Sequence, residues 1–133
     1  MKGACGCGSV KYQLSSDIKN IVNCHCTMCR AHNGSAFSTY AALPFKSLEI
    51  VAGEQYVQKY SASESAQKYF CGRCGTPMFN LNEQYAGVCM IFLGTLEQAQ
   101  YLVPKINVWC QSKLAWVDAV EDIASLEQGF ERK

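Results

Sequence analysis

The sequence has little net charge: 12 Lys and Arg stand against 11 Asp and Glu, leaving +1. The charges are scattered rather than blocked. No basic stripe is available to neutralise nucleic-acid phosphates, and no polybasic face to meet a membrane surface. Long apolar runs are missing too. The densest, GVCMIFLG at 87–94, falls far short of the roughly 20 residues that span a bilayer. The amino terminus, MKGACGCGSV, has no apolar stretch of the kind a signal peptide needs. Linkers, internal repeats and low-complexity segments are lacking as well. With 49% apolar residues and only three prolines in 133 positions, the chain reads as globular rather than disordered. The expectation is a single domain over 1–133, large enough to bury a core. Its partner is then a small molecule or a protein, with no nucleic acid and no membrane; the sequence sets no oligomeric state.

Cysteine, in contrast, is abundant. Nine are present, an odd number that forbids complete internal pairing. Without a visible export signal the expected setting is the reducing cytoplasm. There such a set is more often metal-binding or catalytic than a disulfide framework.

The chain between the cysteines alternates on a short period. VKYQL, AFSTYAAL, LEIVAG, QYVQKY, KYF, MFNL, VCMIFL and KINVW are each β-branched or aromatic-rich, and each is bounded by Gly, Ser, Asn or Pro. That pattern predicts two or three small antiparallel sheets. Helical signals are few. Thr27 is a candidate cap for a short helix ending at Asn33, with Gly34 in the left-handed stop position. TLEQAQYL reads as a further turn, and ASLEQGFERK as a frayed tail.

The cysteines fall into CGC (5 and 7), CHCTMC (24, 26 and 29) and CGRCG (71 and 74), with Cys89 and Cys110 remaining. CGRCG has the form of a zinc knuckle: Cys71 and Cys74 at the ends of a tight turn, with Gly72 and Gly75 leaving amides free to approach sulfur. Four thiolates on Zn²⁺ carry excess negative charge and need such donors. A knuckle supplies two ligands; in extended chain, Cys5 and Cys7 point the same way and supply two more. Cys5, Cys7, Cys71 and Cys74 therefore predict a closed, structural site. The alternative is a set of buried or redox-active thiols without metal.

CHCTMC is left with three ligands. Cys24 and Cys26 share a face at a strand end, and Cys29 falls in the first helical turn, where the helix dipole and Arg30 favour thiolate. His32, His25, a distant cysteine or an incoming ligand are the candidates for the fourth position. Cys29-x-x-His32 has acceptable ligand spacing. His25 points away from both neighbouring ligands, and Cys89 and Cys110 read as small core residues. Three protein ligands with a fourth position open is the pattern of catalytic zinc.

GACGCGSVKY, CHCTMCRAHNGSAF, KYFCGRCGTPMF, GTLEQ and INVWCQSKLAW, in that order from Gly3 to Trp116, resemble the landmarks of the glutathione-dependent formaldehyde-activating enzyme family, which also includes centromere protein V. The resemblance implies a mainly β, tent-like fold of small antiparallel sheets with zinc sites and few short helices. It implies two Zn²⁺ per chain: a structural one on Cys5, Cys7, Cys71 and Cys74, and an open or labile one on Cys24, Cys26 and Cys29, near which glutathione binds as cosubstrate. It further implies a carbon–sulfur lyase reaction run in reverse, joining a small-molecule thiol and an aldehyde, glutathione and formaldehyde, into S-(hydroxymethyl)glutathione. For that chemistry His25 and Tyr40 are the candidate donor and proton relay, and Arg30, Lys68 and Arg73 the candidate cations for the thiol's carboxylates. One residue departs from the pattern: Lys68 stands where arginine is common, and lysine is the weaker bidentate partner. The alternative function is a non-catalytic zinc module, either a thiol carrier or a protein-interaction domain.

Overall fold

The structure is a computed structural model and describes residues 1–130. It is mainly β. A three-stranded antiparallel sheet is formed by β1 (Lys2–Ala4), β2 (Lys11–Leu14) and β5 (Leu48–Ala52), in the order β1-β2-β5. The second sheet has seven strands: β3 (Asn20–Cys24), β4 (Ser38–Pro44), β6 (Val57–Ser61), β7 (Ala66–Cys71), β8 (Pro77–Asn82), β9 (Val88–Phe92) and β10 (Ile106–Val108). Their order is β10-β3-β4-β9-β8-β7-β6. All neighbours are antiparallel except β10, which lies parallel to β3. This sheet is larger than the short runs suggest, and its parallel edge was not legible in them. Every expected run contains a strand; β1, only KGA, gives no alternating signal and is held by pairing with β2.

The register decides which residues share a face, since directly opposed residues point the same way and neighbours along a strand alternate. Ala41, Leu43, Cys89, Ile91, Phe79 and Leu81 face the three-stranded sheet. They meet Val10, Tyr12 and Leu14 in the main core, with Leu48 and Ile50 against it. The opposite face carries Cys24 and Val22, then Tyr40, Phe92, Met90, Asn80, Lys68 and Tyr60 on successive strands. Cys24, Tyr40 and Phe92 form a smaller second core there with Cys29.

The α-helix among the described residues, α1 (Thr27–Asn33), lies against this second face. Its end is as expected, with Gly34 left-handed at φ 65° and its N–H on the Arg30 carbonyl. Its start is not. Cys26 is the N-cap, its sulfur accepting from the Cys29 amide, in place of the predicted Thr27. TLEQAQYL does turn, as a short 3₁₀ segment at Ala99–Tyr101. ASLEQGFERK, read as a frayed tail, has neither helix nor strand over 124–130, and its last three residues lie outside the described ones. No helix among the described residues is long and apolar enough to cross a membrane.

Candidate metal centres

The loop after β1 and the turn between β7 and β8 bring Cys5, Cys7, Cys71 and Cys74 together, all four sulfurs within 4.8 Å of one another. Cys7 Sγ is 3.6 Å from Cys5 Sγ and 4.0 Å from Cys71 Sγ. A tetrahedron with zinc–sulfur bonds of about 2.3 Å has edges of about 3.8 Å, so the sulfur set fits zinc. Gly75, at φ 78°, makes the knuckle turn and donates to the Cys71 carbonyl at 2.7 Å. The glycine amides are not the sulfur donors, because Gly72 N–H is spent on the Tyr56 carbonyl and Gly75 N–H on Cys71. The Val10 amide serves Cys5 at 3.3 Å, and the Arg73 and Cys74 amides favour the charged form of Cys71. Thr76 bridges the halves: its hydroxyl accepts from Gly6 N–H at 2.9 Å and lies 3.1 Å from Cys74 Sγ. That hydroxyl is the main cause that brings the Cys74 thiol down to about 5, as Ser9 lowers Cys7; burial pushes Cys71 up to about 11.

The second group is Cys24, Cys26 and Cys29, again with all sulfurs within 4.8 Å. Cys24 and Cys29 are buried with sulfurs 3.6 Å apart; Cys26 is half-buried. The Tyr40 hydroxyl lies 3.3 Å from Cys29 Sγ. Cys29 is the acidic member, brought to about 5 chiefly by the Cys24 thiol beside it. Cys24 is pushed up, because the pair shares one proton and its neighbour already holds the charge. A cation with three thiolate ligands displaces that proton, and the donor chemistry suits zinc.

The other predicted residues have distinct partners. His32 stays outside the sulfur group and stacks on Tyr60 of β6, ring centroids 5.8 Å apart at 14°. Burial is the first cause lowering its pKa. His25, 1% exposed, packs on Phe37; its Nε2 is 3.2 Å from Asn107 Oδ1, and its buried Nδ1 has no partner among the described residues. Tyr40 is raised above the usual phenol range, first by burial. Arg30 donates to the Ser112 carbonyl. Arg73 covers the Tyr56 ring at 5.0 Å, beside the four-cysteine group. Lys68 is buried, its ammonium 3.0 Å from Asn80. Cys89 is a core residue as expected, but Cys110 is exposed. Trp109 before it is left-handed at φ 58°, ψ 39°, so the chain turns off the three-residue edge strand before Cys110 can be buried.

Sequence reasoning missed Thr76, Asn80 and Asn107. Thr76 stood next to the knuckle, two residues beyond Cys74, where a hydroxyl can reach the sulfur. Nothing in the sequence set Asn80 or Asn107 apart from ordinary strand residues.

Comparison with known proteins adds a family. Residues 1–112 match the glutathione-dependent formaldehyde-activating enzyme family. An uncharacterized lyase of Schizosaccharomyces pombe is 28% identical over 78 residues, 59% of this chain and 55% of that protein. An Emericella nidulans protein, provisionally named a glutathione-dependent formaldehyde-activating enzyme, is 27% identical over 75 residues, 56% of this chain and 38% of that one. The aligned part thus spans about half or less of these relatives. The crystal structure of a Rhodobacter sphaeroides protein superposes with a TM-score of 0.65 at 22% identity, covering 80% of this chain and 98% of that one, which establishes a shared fold.

Proposed function

Because this chain belongs to the glutathione-dependent formaldehyde-activating enzyme family, we propose that it is a lyase-type enzyme joining a thiol to an aldehyde at the three-cysteine centre. Glutathione and formaldehyde are the pair that the family description suggests. The observation that carries this reading is the make-up of that centre. It has three protein sulfurs, no histidine or carboxylate joined to them among the described residues, and a buried tyrosine hydroxyl on Cys29.

In this reading Cys24, Cys26 and Cys29 hold zinc, and Cys5, Cys7, Cys71 and Cys74 hold a structural zinc. Zinc on three thiolates would supply a soft cation that makes a thiol acidic on coordination, giving a nucleophile at neutral pH. The bond that forms joins the thiol sulfur to the aldehyde carbon. The carbonyl π pair moves to oxygen, and the proton lost by the thiol ends there, so no redox partner is needed. We assign Tyr40 as donor to that oxygen, since burial keeps its hydroxyl protonated. His25 is assigned the proton transfer: Asn107 takes its Nε2–H, which leaves Nδ1 as the basic atom. Arg30 is the cation left to meet a carboxylate of the thiol. Lys68 is buried, and Arg73 belongs to the other cluster.

The test has two parts. Metal analysis should find two zinc ions per chain, one of them removed by mild chelation. Exchange spectroscopy of formaldehyde with glutathione should show acceleration by the protein that is lost in Cys26→Ser. One tightly held zinc in a fully reduced preparation removes the open site. Two zinc ions without acceleration for any thiol–aldehyde pair make the protein a thiol-binding module.

A further inference from the structure

The second face of the seven-stranded sheet carries a cation that the reaction above does not use. Lys68, in the middle of β7, is only 5% exposed. Burying an ammonium is costly unless negative charge lies close by, and a buried lysine is normally paired. Among the described residues the one ion pair is Lys113–Asp118, elsewhere on the surface. Neither α1 (TMCRAHN) nor the strand residues on this face include an aspartate or glutamate. The negative charge on this face is that of the three cysteines.

A line of contacts runs from the cation to the sulfurs. Asn80 is directly opposite Lys68 in the β7–β8 register. Its amide satisfies its surroundings in one orientation, assigned from the partners it meets. The oxygen lies 3.0 Å from Lys68 Nζ and 3.1 Å from the Tyr40 hydroxyl, and the nitrogen 3.2 Å from the Phe79 carbonyl. Tyr40 in turn lies 3.3 Å from Cys29 Sγ. Strand pairing fixes the Lys68–Asn80 step, Tyr40 reaches Asn80 across β9 on the same face, and the last step crosses from β4 to α1.

We infer that Lys68, held through Asn80 and Tyr40, is the built-in counter-charge of the three-cysteine centre and sets its preference for an anionic fourth ligand. Three thiolates leave a divalent metal with net charge −1, which disfavours a fourth anion such as a thiolate. A fixed positive charge across two buried polar groups offsets part of that repulsion while leaving a neutral ligand unaffected. Lys68 and Asn80 are thus positioning residues: neither touches the metal or the incoming sulfur. The inference rests on the proposed metal at Cys24, Cys26 and Cys29.

The test uses the folded protein with the labile position exchanged to cobalt(II). The cobalt absorption bands are followed during titration with 2-mercaptoethanol, which binds as a thiolate, and with imidazole, which binds neutral. In Lys68→Met the apparent Kd for 2-mercaptoethanol should weaken about tenfold, the size expected for one charge at this separation in a partly buried setting. The imidazole Kd should stay within about twofold. Asn80→Asp is nearly isosteric and places a carboxylate beside Lys68. It should weaken 2-mercaptoethanol binding and spare imidazole, and no change with either ligand would show that the centre does not feel charge at this position. Lys68→Arg should restore the parent value to within about threefold. Equal weakening of both ligands, or no change with either, overturns the inference. If Lys68→Met does not fold, Lys68→Gln, which keeps a polar partner for Asn80 and removes only the charge, decides in its place. A parent protein whose cobalt bands answer to neither ligand overturns the open-site reading itself, and this inference with it.

Discussion

Tyr12 fills the space that Gly3 leaves on the neighbouring strand. A Cβ on Gly3 would lie 2.7 Å from Tyr12 Cζ and 2.9 Å from the Thr95 carbonyl, so any other residue there displaces the ring. The ring is 1% exposed and its hydroxyl rests on Thr95 Oγ1. Burial, the larger effect, pushes the phenol up to about 12 from its ordinary 10.0. The sign follows from linkage. Above pH 10 the unfolded chain releases this proton while the folded one keeps it, so the folded state binds more protons and stability falls as pH rises from about 10 to about 12. The full loss from two pH units is about 3 kcal/mol. Urea unfolding between pH 9 and 11.5 should therefore show a shallower decline for Tyr12→Phe than for the parent. Parallel curves would place the phenol in contact with solvent.

Helix α1 has seven residues, too few to persist without tertiary support. Its supports are the Cys26 cap, the Gly34 stop, the Asn33 side chain on Ser38 and the stack of His32 on Tyr60. Cys26 is both cap and predicted ligand, and two substitutions separate these roles. Cys26→Ser keeps a side-chain acceptor for the Cys29 amide, whereas Cys26→Ala loses it at about 1 kcal/mol. Both should lose the labile metal, but only alanine should lower the urea midpoint appreciably; equal midpoints would deny the cap. The helix could be read from Gly34 and the polar residues ahead of it, and the cysteine groups from their short spacings, since both are local. The cap was misread because Ser and Thr normally fill it and sulfur rarely does. The burial of Lys68 and its pairing with Asn80 were illegible for another reason. Lysine in an alternating strand reads as solvated, and its burial depends on β6, β7, β8, β9 and β4 pairing in one register, with α1 laid across them. Cys110 failed because the apolar look of NVWC does not reveal the left-handed turn at Trp109.

The two cysteine groups differ in what they connect. Cys24, Cys26 and Cys29 belong to one strand end and one helix on the second face of the large sheet. Cys5 and Cys7 follow β1 of the small sheet, while Cys71 and Cys74 close β7 and the turn into β8 of the large one. A metal on these four therefore cross-links the two sheets at the edge of the shared core, to which Cys5 and Cys71 already belong. The backbone there leaves no slack. Gly53, at φ +75°, lies so close under Ser9 that a Cβ would be 2.7 Å from its carbonyl carbon, which fixes the path of the CGCGS loop. Metal binding that organises unlinked segments contributes directly to folding free energy, while binding at a pre-formed local site contributes less. Calorimetry of the metal-loaded protein should then show a drop in Tm of more than about 10 °C for Cys71→Ser, the consequence of losing several kcal/mol in a domain of this size. Cys26→Ser should shift it by no more than about 3 °C. Gly53→Ala should resemble Cys71→Ser in direction, because the loop can no longer bring Cys5 and Cys7 into register with the knuckle. Equal losses for Cys71→Ser and Cys26→Ser would mean that the three-cysteine centre supports the fold as much as the four-cysteine one. It would then be a structural site rather than one kept open for a ligand.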